Sequence, residues 1–457
     1  MSENTSVAYE ATAQGENDVL QEMRFKAATH ELRSQLWQRP QRLGIAAIVC
    51  HHLGLRVPKS AKYDFPGKSK KKTRARAKPR AGIRSLEPDL VSIRPPDTWI
   101  LGSFNLCIPI RVRRSPKETP YTVLMRCPLR HKLAEDRYPG TVEEKMRCEV
   151  GAYVWMQENC PEVPIPNLLG FGFPGGLHFT HISSRPFYQR WARSILRFVC
   201  TLLHLPVPSS YVRIRKPPGP SVLQHGYLLL EYIEPAGGRM LSETWDAKCH
   251  DLAKRRNLFR GLARIILSVA RIPHARIGSF TFRNDCTISL SNRPLSCSTV
   301  TLENSGASRV IERDKTYPCA EPYISDLLAQ HDRRLPAQPN SVKDETDRRQ
   351  PGLRSQLFAM QFTDFHQSNL FVDDDWNITA LVGLEWMCSR PLEMIDVPYW
   401  ITSKGIDEVG EPEDEALKEY AEARKEFRSI LREEEEKLTT TGKWQQNVLP
   451  SDAIQST

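Results

Sequence analysis

The sequence predicts an α+β fold in two lobes, a small β-rich lobe followed by a larger, mainly helical one. Three observations carry that expectation. Between Trp99 and Phe173 the residue pattern runs strand, strand, helix, strand. Beyond the flexible exit Glu234-Pro235-Ala-Gly-Gly238 it changes to long helical periodicities. In the second half Asp364 stands five residues before Asn369, and a short hairpin with a second apolar strand follows.

Residues 1–17 are polar and read as disordered. Val19 to Leu53 alternates apolar and charged residues at helical spacing, enough for two short helices around Pro40. Gly54 to about Asp89 is rich in Lys, Arg and Pro and reads as linker. Strands are expected at Leu106–Ile110 and Tyr121–Arg126. Thr141-Val-Glu-Glu144 has the form of a capping box, and Val142, Met146, Val150 and Tyr153 mark one face of the helix it opens. A strand at Asn167–Phe173 completes the order. The stretch 178–222, an apolar helix with a Pro-rich sequel, reads as an insertion. Tyr227–Ile233 is an unbroken apolar run but for Glu231, as suits a strand buried on both faces.

The second lobe opens with a strong helix from Asp251 to Arg271, with Leu258, Leu262, Ile265, Ile266 and Val269 on one stripe. A hairpin is expected over Gly278–Leu290 and a short helix over Tyr323–His331. Strands Leu370–Val372 and Ile378–Leu384 frame Asp373-Asp374-Asp375, and a charged amphipathic helix runs from Glu411 to Lys437. The expected organisation is therefore an N-terminal helical segment with basic linker (1–89), a first lobe (90–233), a second lobe (234–437) and a disordered tail (438–457).

Composition narrows the partners. The formal charge is +10, but Lys68–Arg80 holds eight positive charges and no acid, which leaves +2 for the rest. A nucleic-acid face on the folded body is not expected. The basic run is either a solvated spacer or a nuclear-localisation signal. Eleven cysteines are scattered singly with no CxxC pair, as for free thiols in a reducing compartment. The N-terminus has no apolar signal core. The nearest approach to a membrane span, Ile195 to Pro208, is interrupted by Arg197 and His204. The expectation is an intracellular, cytoplasmic protein with no membrane partner, nuclear if the basic run is a signal.

The chemistry lies in Thr363-Asp-Phe-His-Gln-Ser-Asn369 and Val382-Gly-Leu-Glu385. An Asp and an Asn at this offset before a hairpin read as a kinase-type catalytic loop. One carboxylate orients an attacking hydroxyl and the Asn oxygen holds Mg²⁺. A second Asp should follow on the next strand, and Gly383 stands in its place. With Gly102-Ser-Phe-Asn105, Glu144-Lys-Met-Arg-Cys-Glu149, Pro164-Ile-Pro166, Leu229-Leu-Glu-Tyr-Ile233 and Trp376-Asn-Ile-Thr379, these motifs resemble the aminoglycoside phosphotransferase and choline-kinase-like family, particularly its fungal members. The resemblance covers roughly residues 97 to 435.

It implies a protein-kinase-like fold with ATP in the cleft between lobes and transfer to a small-molecule hydroxyl. Asp364 would be the general base or hydroxyl-orienting carboxylate; a turn-capping Asp is the bland alternative. Asn369 would ligate Mg²⁺, and His366 would either orient the loop or simply pack. Glu149 would anchor the ATP-contacting cation, which here is Arg126 rather than Lys. Gly102 and Ser103 match the phosphate loop, and Glu231 and Ile233 the nucleotide-contacting segment before the hinge. Without an Asp at 383, Glu385 is the remaining carboxylate for the metal, since alternate strand residues point the same way. Asp344 to Phe362 looks short of a usual helix, and the end after Lys437 looks truncated. The expected function is a phosphotransferase fold degraded to little activity; the alternative is an active small-molecule kinase using Asp364, Asn369 and Glu385.

Overall fold

The computed structural model describes residues 19–55, 90–115, 117–214, 226–333, 357–395, 397–402, 415–442 and 450–453. It is an α+β protein with antiparallel sheets. The basic run Lys68–Arg80 and most of the stretch Asp344–Phe362 lie outside the described residues, as do 443–449 and 454–457 in the expected tail.

Two helices come first, α1 (Val19–Trp37) and α2 (Arg39–His52), divided where Pro40 can sit in the first turn of the second. The strands β1 (Val91–Ile93), β2 (Ile100–Leu101), β3 (Asn105–Val112) and β4 (Tyr121–Pro128) follow, then helix α3 (Thr141–Asn159). After β5 (Leu168–Gly172) and β6 (His178–His181) come helix α4 (Phe187–Leu202), β7 (Tyr211–Arg213) and β8 (Tyr227–Glu231). These eight strands form one sheet in the order β1-β3-β4-β8-β5-β6-β7, with β2 paired to β3. Pro109 is tolerated inside β3 because β2 pairs with residues 106–107 and β1 with 110–112. The position without an N–H faces the gap between them.

The two-residue period of β8 shows how the sheet is covered. Tyr227 and Leu229 pack with Ile45, Ile48 and Val49 of α2, whereas Leu228 and Leu230 pack with α3 residues such as Met146 and Val150. The helical part of the N-terminal segment thus covers one face of the sheet. The stretch expected as an insertion contributes β6 and β7 to the same sheet, and Tyr211 of β7 is fully buried with its hydroxyl donated to the Leu168 carbonyl at 2.9 Å.

The capping box is not formed. Gly140 occupies the N-cap without a side-chain bond, and the Glu135 carboxylate accepts from the Gly140 and Val142 amides instead. Glu144 is drawn away to Arg293 and Arg313, at 2.8 and 2.9 Å. A buried guanidinium competes for a carboxylate more strongly than an exposable backbone amide.

Beyond β8, the strand β9 (Arg239–Met240) leads into α5 (Leu241–Lys248) and α6 (Leu252–Ala270). Asp251 caps α6 by accepting from Ala253 and Lys254 amides. The hairpin β10 (Ser279–Phe282)/β11 (Ile288–Asn292) and helices α7 (Cys297–Asn304) and α8 (Ala320–Asp332) come next. Gly151 of α3 lets the β10 backbone approach closely, since a Cβ there would lie 2.7 Å from the Phe280 carbonyl oxygen. Strand β12 (Phe358–Phe362) pairs with β15 (Met387–Pro391), and between them β13 (Leu370–Val372) is flanked by β14 (Ile378–Leu381) and β9. Helix α9 (Glu415–Thr440) packs on α6 through Phe259 and Phe427, ring centroids 5.5 Å apart, with Arg255 and Arg264 bonded to Glu426 and Glu434.

Candidate functional site

Strand β4 presents Arg126 to the same side as Leu124, toward α3, and so places its guanidinium against Glu149. Arg126 Nη1 lies 2.6 Å from Glu149 Oε1, and Nη2 lies 2.6 Å from Glu385 Oε1. Lys145, one helical turn before Glu149, donates to Glu149 Oε2 and to Asn105 Oδ1, both at 3.0 Å. Asn105 Nδ2 donates in turn to Glu385 Oε1 at 3.0 Å. The five side chains close a ring, Arg126–Glu149–Lys145–Asn105–Glu385, that joins β3, β4 and α3 to the turn before β15. Lys145 is completely buried and Glu149 nearly so. Two cations and two anions cancel, and the shared hydrogen bonds offset a desolvation cost that either charge alone would not recover.

Electrostatics agree with that arrangement. Burial alone would lower the Arg126 guanidinium, but Glu149 and Glu385 outweigh it and hold it well above its ordinary value. Burial would raise Glu385, yet Arg126 and Lys145 pull it below the usual carboxylate range. Asp364 behaves oppositely. Burial pushes its carboxyl up, and the Glu385 charge adds to that push against His366 and Arg126.

Asp364 sits in the loop between β12 and β13, half-buried. The loop is held by backbone contacts: Thr363 donates to the Trp386 carbonyl, Trp400 Nε1 to the Phe365 carbonyl at 2.7 Å, and Asn369 Nδ2 to the Asp364 carbonyl at 2.6 Å. The His366 ring nitrogen accepts from the Ser368 amide at 3.2 Å, so this histidine shapes the loop.

Position 383 differs from the sequence expectation. Strand β14 stops at Leu381, and Gly383 takes a left-handed conformation (φ 80°, ψ 41°) before the 3-10 turn Leu384–Trp386. Alternation along a strand therefore does not govern Gly383 and Glu385. A Cβ on Gly383 would lie 2.9 Å from both the Cγ and the Oδ1 of Asn369, so the carboxamide of Asn369 already occupies the room an aspartate would need.

The remaining expected residues are not members of the ring. Gly102 and Ser103 are exposed in the β2–β3 turn, where the Gly102 amide donates to the Asn105 carbonyl at 2.9 Å. A Cβ at Gly102 would meet that oxygen at an ordinary 3.5 Å, so glycine is not required. Glu231 is exposed and clasps the Asn167 amide at 2.6 Å, pinning β8 to β5. Ile233 lies just past the end of β8, half-buried.

The side chains that would hold Mg²⁺ are fewer than the catalytic-loop motif calls for. Gly383 supplies no side-chain oxygen, and Asn369 Nδ2 is tied to the Asp364 carbonyl, which leaves its Oδ1 as the one ligand atom of that side chain. Glu385 spends one oxygen on Arg126 and Asn105, while its other oxygen is buried without a hydrogen-bond partner. Among the described residues no group of three or more acidic, His or Cys side chains is arranged for a metal. Glu385 closes the ring through Oε1, with Arg126 Nη2 at 2.6 Å and Asn105 Nδ2 at 3.0 Å, so only its Oε2 lies outside the ring.

Next to the loop lies a cavity of about 370 Å³, bounded by Thr363, Phe365, Ile266, Met360 and Tyr420. Its walls are mainly apolar and no ionised group of the ring lines it. Sequence reasoning missed Asn105 and Lys145. The signal for Lys145 was its place four residues before Glu149, the helical spacing of an ion pair. Comparison of the chain with protein-family models, with curated proteins and with solved structures finds no match.

Proposed function

We propose that this chain is a degenerate phosphotransferase of the two-lobed, protein-kinase-like kind, a pseudokinase that acts by binding rather than by phosphoryl transfer. The ancestral activity is ATP-dependent transfer to a small-molecule hydroxyl. The order of motifs from Gly102 to Glu385 supports the ancestry, and so does the convergence of Arg126, Glu149 and Glu385. The observation that carries the loss of activity is position 383. Its backbone is left-handed and the space for a metal carboxylate is filled by Asn369. Phosphoryl transfer in this class rests on positioned metal ions that neutralise the developing charge. A neutral carboxamide is a poor substitute for a carboxylate in that role.

One observation favours the alternative of an active small-molecule kinase. Asp364 keeps a carboxyl that burial raises toward the range useful to a general base. The experiment that separates the two measures ATP turnover in Mg²⁺ by the parent chain and by Asp364→Asn. The proposal expects the same background rate from both. A parental rate that the substitution abolishes would establish the kinase.

A further inference from the structure

Helix α4 is attached to the rest of the protein the wrong way round for a helix surrounded by water. Its polar stripe holds the body: Arg193 Nη2 donates to the carbonyls of Ser209 and Tyr211 at 2.7 and 2.8 Å, and Arg197 Nη1 donates to Pro208 and Glu158, both at 2.8 Å. Its apolar stripe points outward. Phe187, Trp191, Ile195, Phe198 and Leu202 recur at intervals of three or four residues and share one face. Phe187 is 81%, Trp191 72% and Phe198 69% exposed. Of the 15 large apolar side chains exposed among the described residues, ten fall between Phe187 and Leu205. No residue of the helix is buried.

We propose that this face docks on an anionic lipid surface. Charge selects that occupant. Between Glu162 and Glu231 the sequence has seven Lys or Arg and no Asp or Glu. Arg190 of the helix and Arg213 of β7 are exposed. A second copy of the chain would bring two such basic segments together, whereas anionic headgroups complement them. The form agrees, because a proud helix with aromatic residues along its outward face is suited to lie in the headgroup plane. Tyr188 and Trp191 are residues of the interfacial type. No described helix is long and apolar enough to cross a membrane, so the contact is one of lying on the surface.

The test uses the full chain and sedimentation with vesicles of phosphatidylcholine alone or with phosphatidylserine added. Binding is expected to the phosphatidylserine vesicles, to weaken as salt is raised, and to fall by about tenfold or more in Trp191→Ala/Phe198→Ala. Both side chains are exposed, so circular dichroism and the melting temperature should match the parent. Trp191→Phe should keep binding while losing part of the fluorescence blue shift that vesicles induce. Absence of sedimentation with either vesicle would overturn the proposal. So would vesicle binding unchanged in the double variant. A concentration-dependent dimer that the double substitution abolishes, without vesicle binding, would assign the face to a second copy instead.

Discussion

Substitution of Glu149 by Gln tests whether the ring of five side chains holds the sheet, α3 and the turn before β15 together. Glu149 bonds both cations of the ring, Arg126 at 2.6 Å and Lys145 at 3.0 Å, and all but 1% of its side chain is buried. Glutamine keeps the shape and one acceptor oxygen but leaves two cations facing a single carboxylate. Removal of one partner from a buried ion pair costs about 3–5 kcal/mol. Against a total stability of about 5–15 kcal/mol, that is a large fraction. Chemical unfolding should show the loss in its midpoint with an unchanged slope, and the melting temperature should fall by about 3–5 °C. Adding Lys145→Met removes the stranded cation and makes the ring neutral again. The double variant should therefore be more stable than the sum of the two single losses, by about 1–3 kcal/mol. A Glu149→Gln protein within about 1 kcal/mol of the parent, or strictly additive losses, would refute the ring as a cooperative unit.

Gly383→Ala should destabilise by about 1–2 kcal/mol from its left-handed backbone alone, plus the overlap with Asn369; Gly383→Asp should do likewise without creating Mg²⁺-dependent nucleotide binding, checked by thermal shift. Asp364→Asn should stabilise the protein at neutral pH. The folded carboxyl is raised, so its ionisation opposes folding once the pH exceeds the unfolded value, and the gain should vanish below that value in unfolding curves taken across pH. Burial lowers His52, and lowers His274 to about 4. The unfolded chain then binds protons that the folded one refuses, and stability should decline as pH falls below the ordinary histidine range. His52 is fully buried and bonded to the Tyr227 hydroxyl at 2.7 Å, so His52→Gln should flatten that decline in the same unfolding curves.

Much of the fold was legible because periodicity reports burial. The stripe Leu258, Leu262, Ile265, Ile266 and Val269 became the buried face of α6, and the apolar run at Tyr227 became a strand covered on both sides. The Arg126–Glu149 pair was also legible, since helix phase and strand parity fix which way each points. Three features were not. Glu144 left the capping box for Arg293, a partner 149 residues away that no local pattern reveals. Asn105 and Lys145 joined the ring because the strand and helix that carry them face each other, which is a tertiary fact. Gly383 read as a strand position because apolar residues flank it, whereas its conformation is left-handed, and no local residue pattern distinguishes a lost aspartate from a required glycine.

The central claim, that the site cannot use a metal-bound nucleotide, is tested most directly by calorimetric titration of ATP into the parent chain with and without Mg²⁺. The absence of a side-chain carboxylate at 383 and the engagement of Glu385 by Arg126 and Asn105 predict equal heats and equal affinity, or no binding, in the two conditions. An affinity for ATP that rises by about tenfold or more on adding Mg²⁺, equivalent to about 1.4 kcal/mol, would contradict the account.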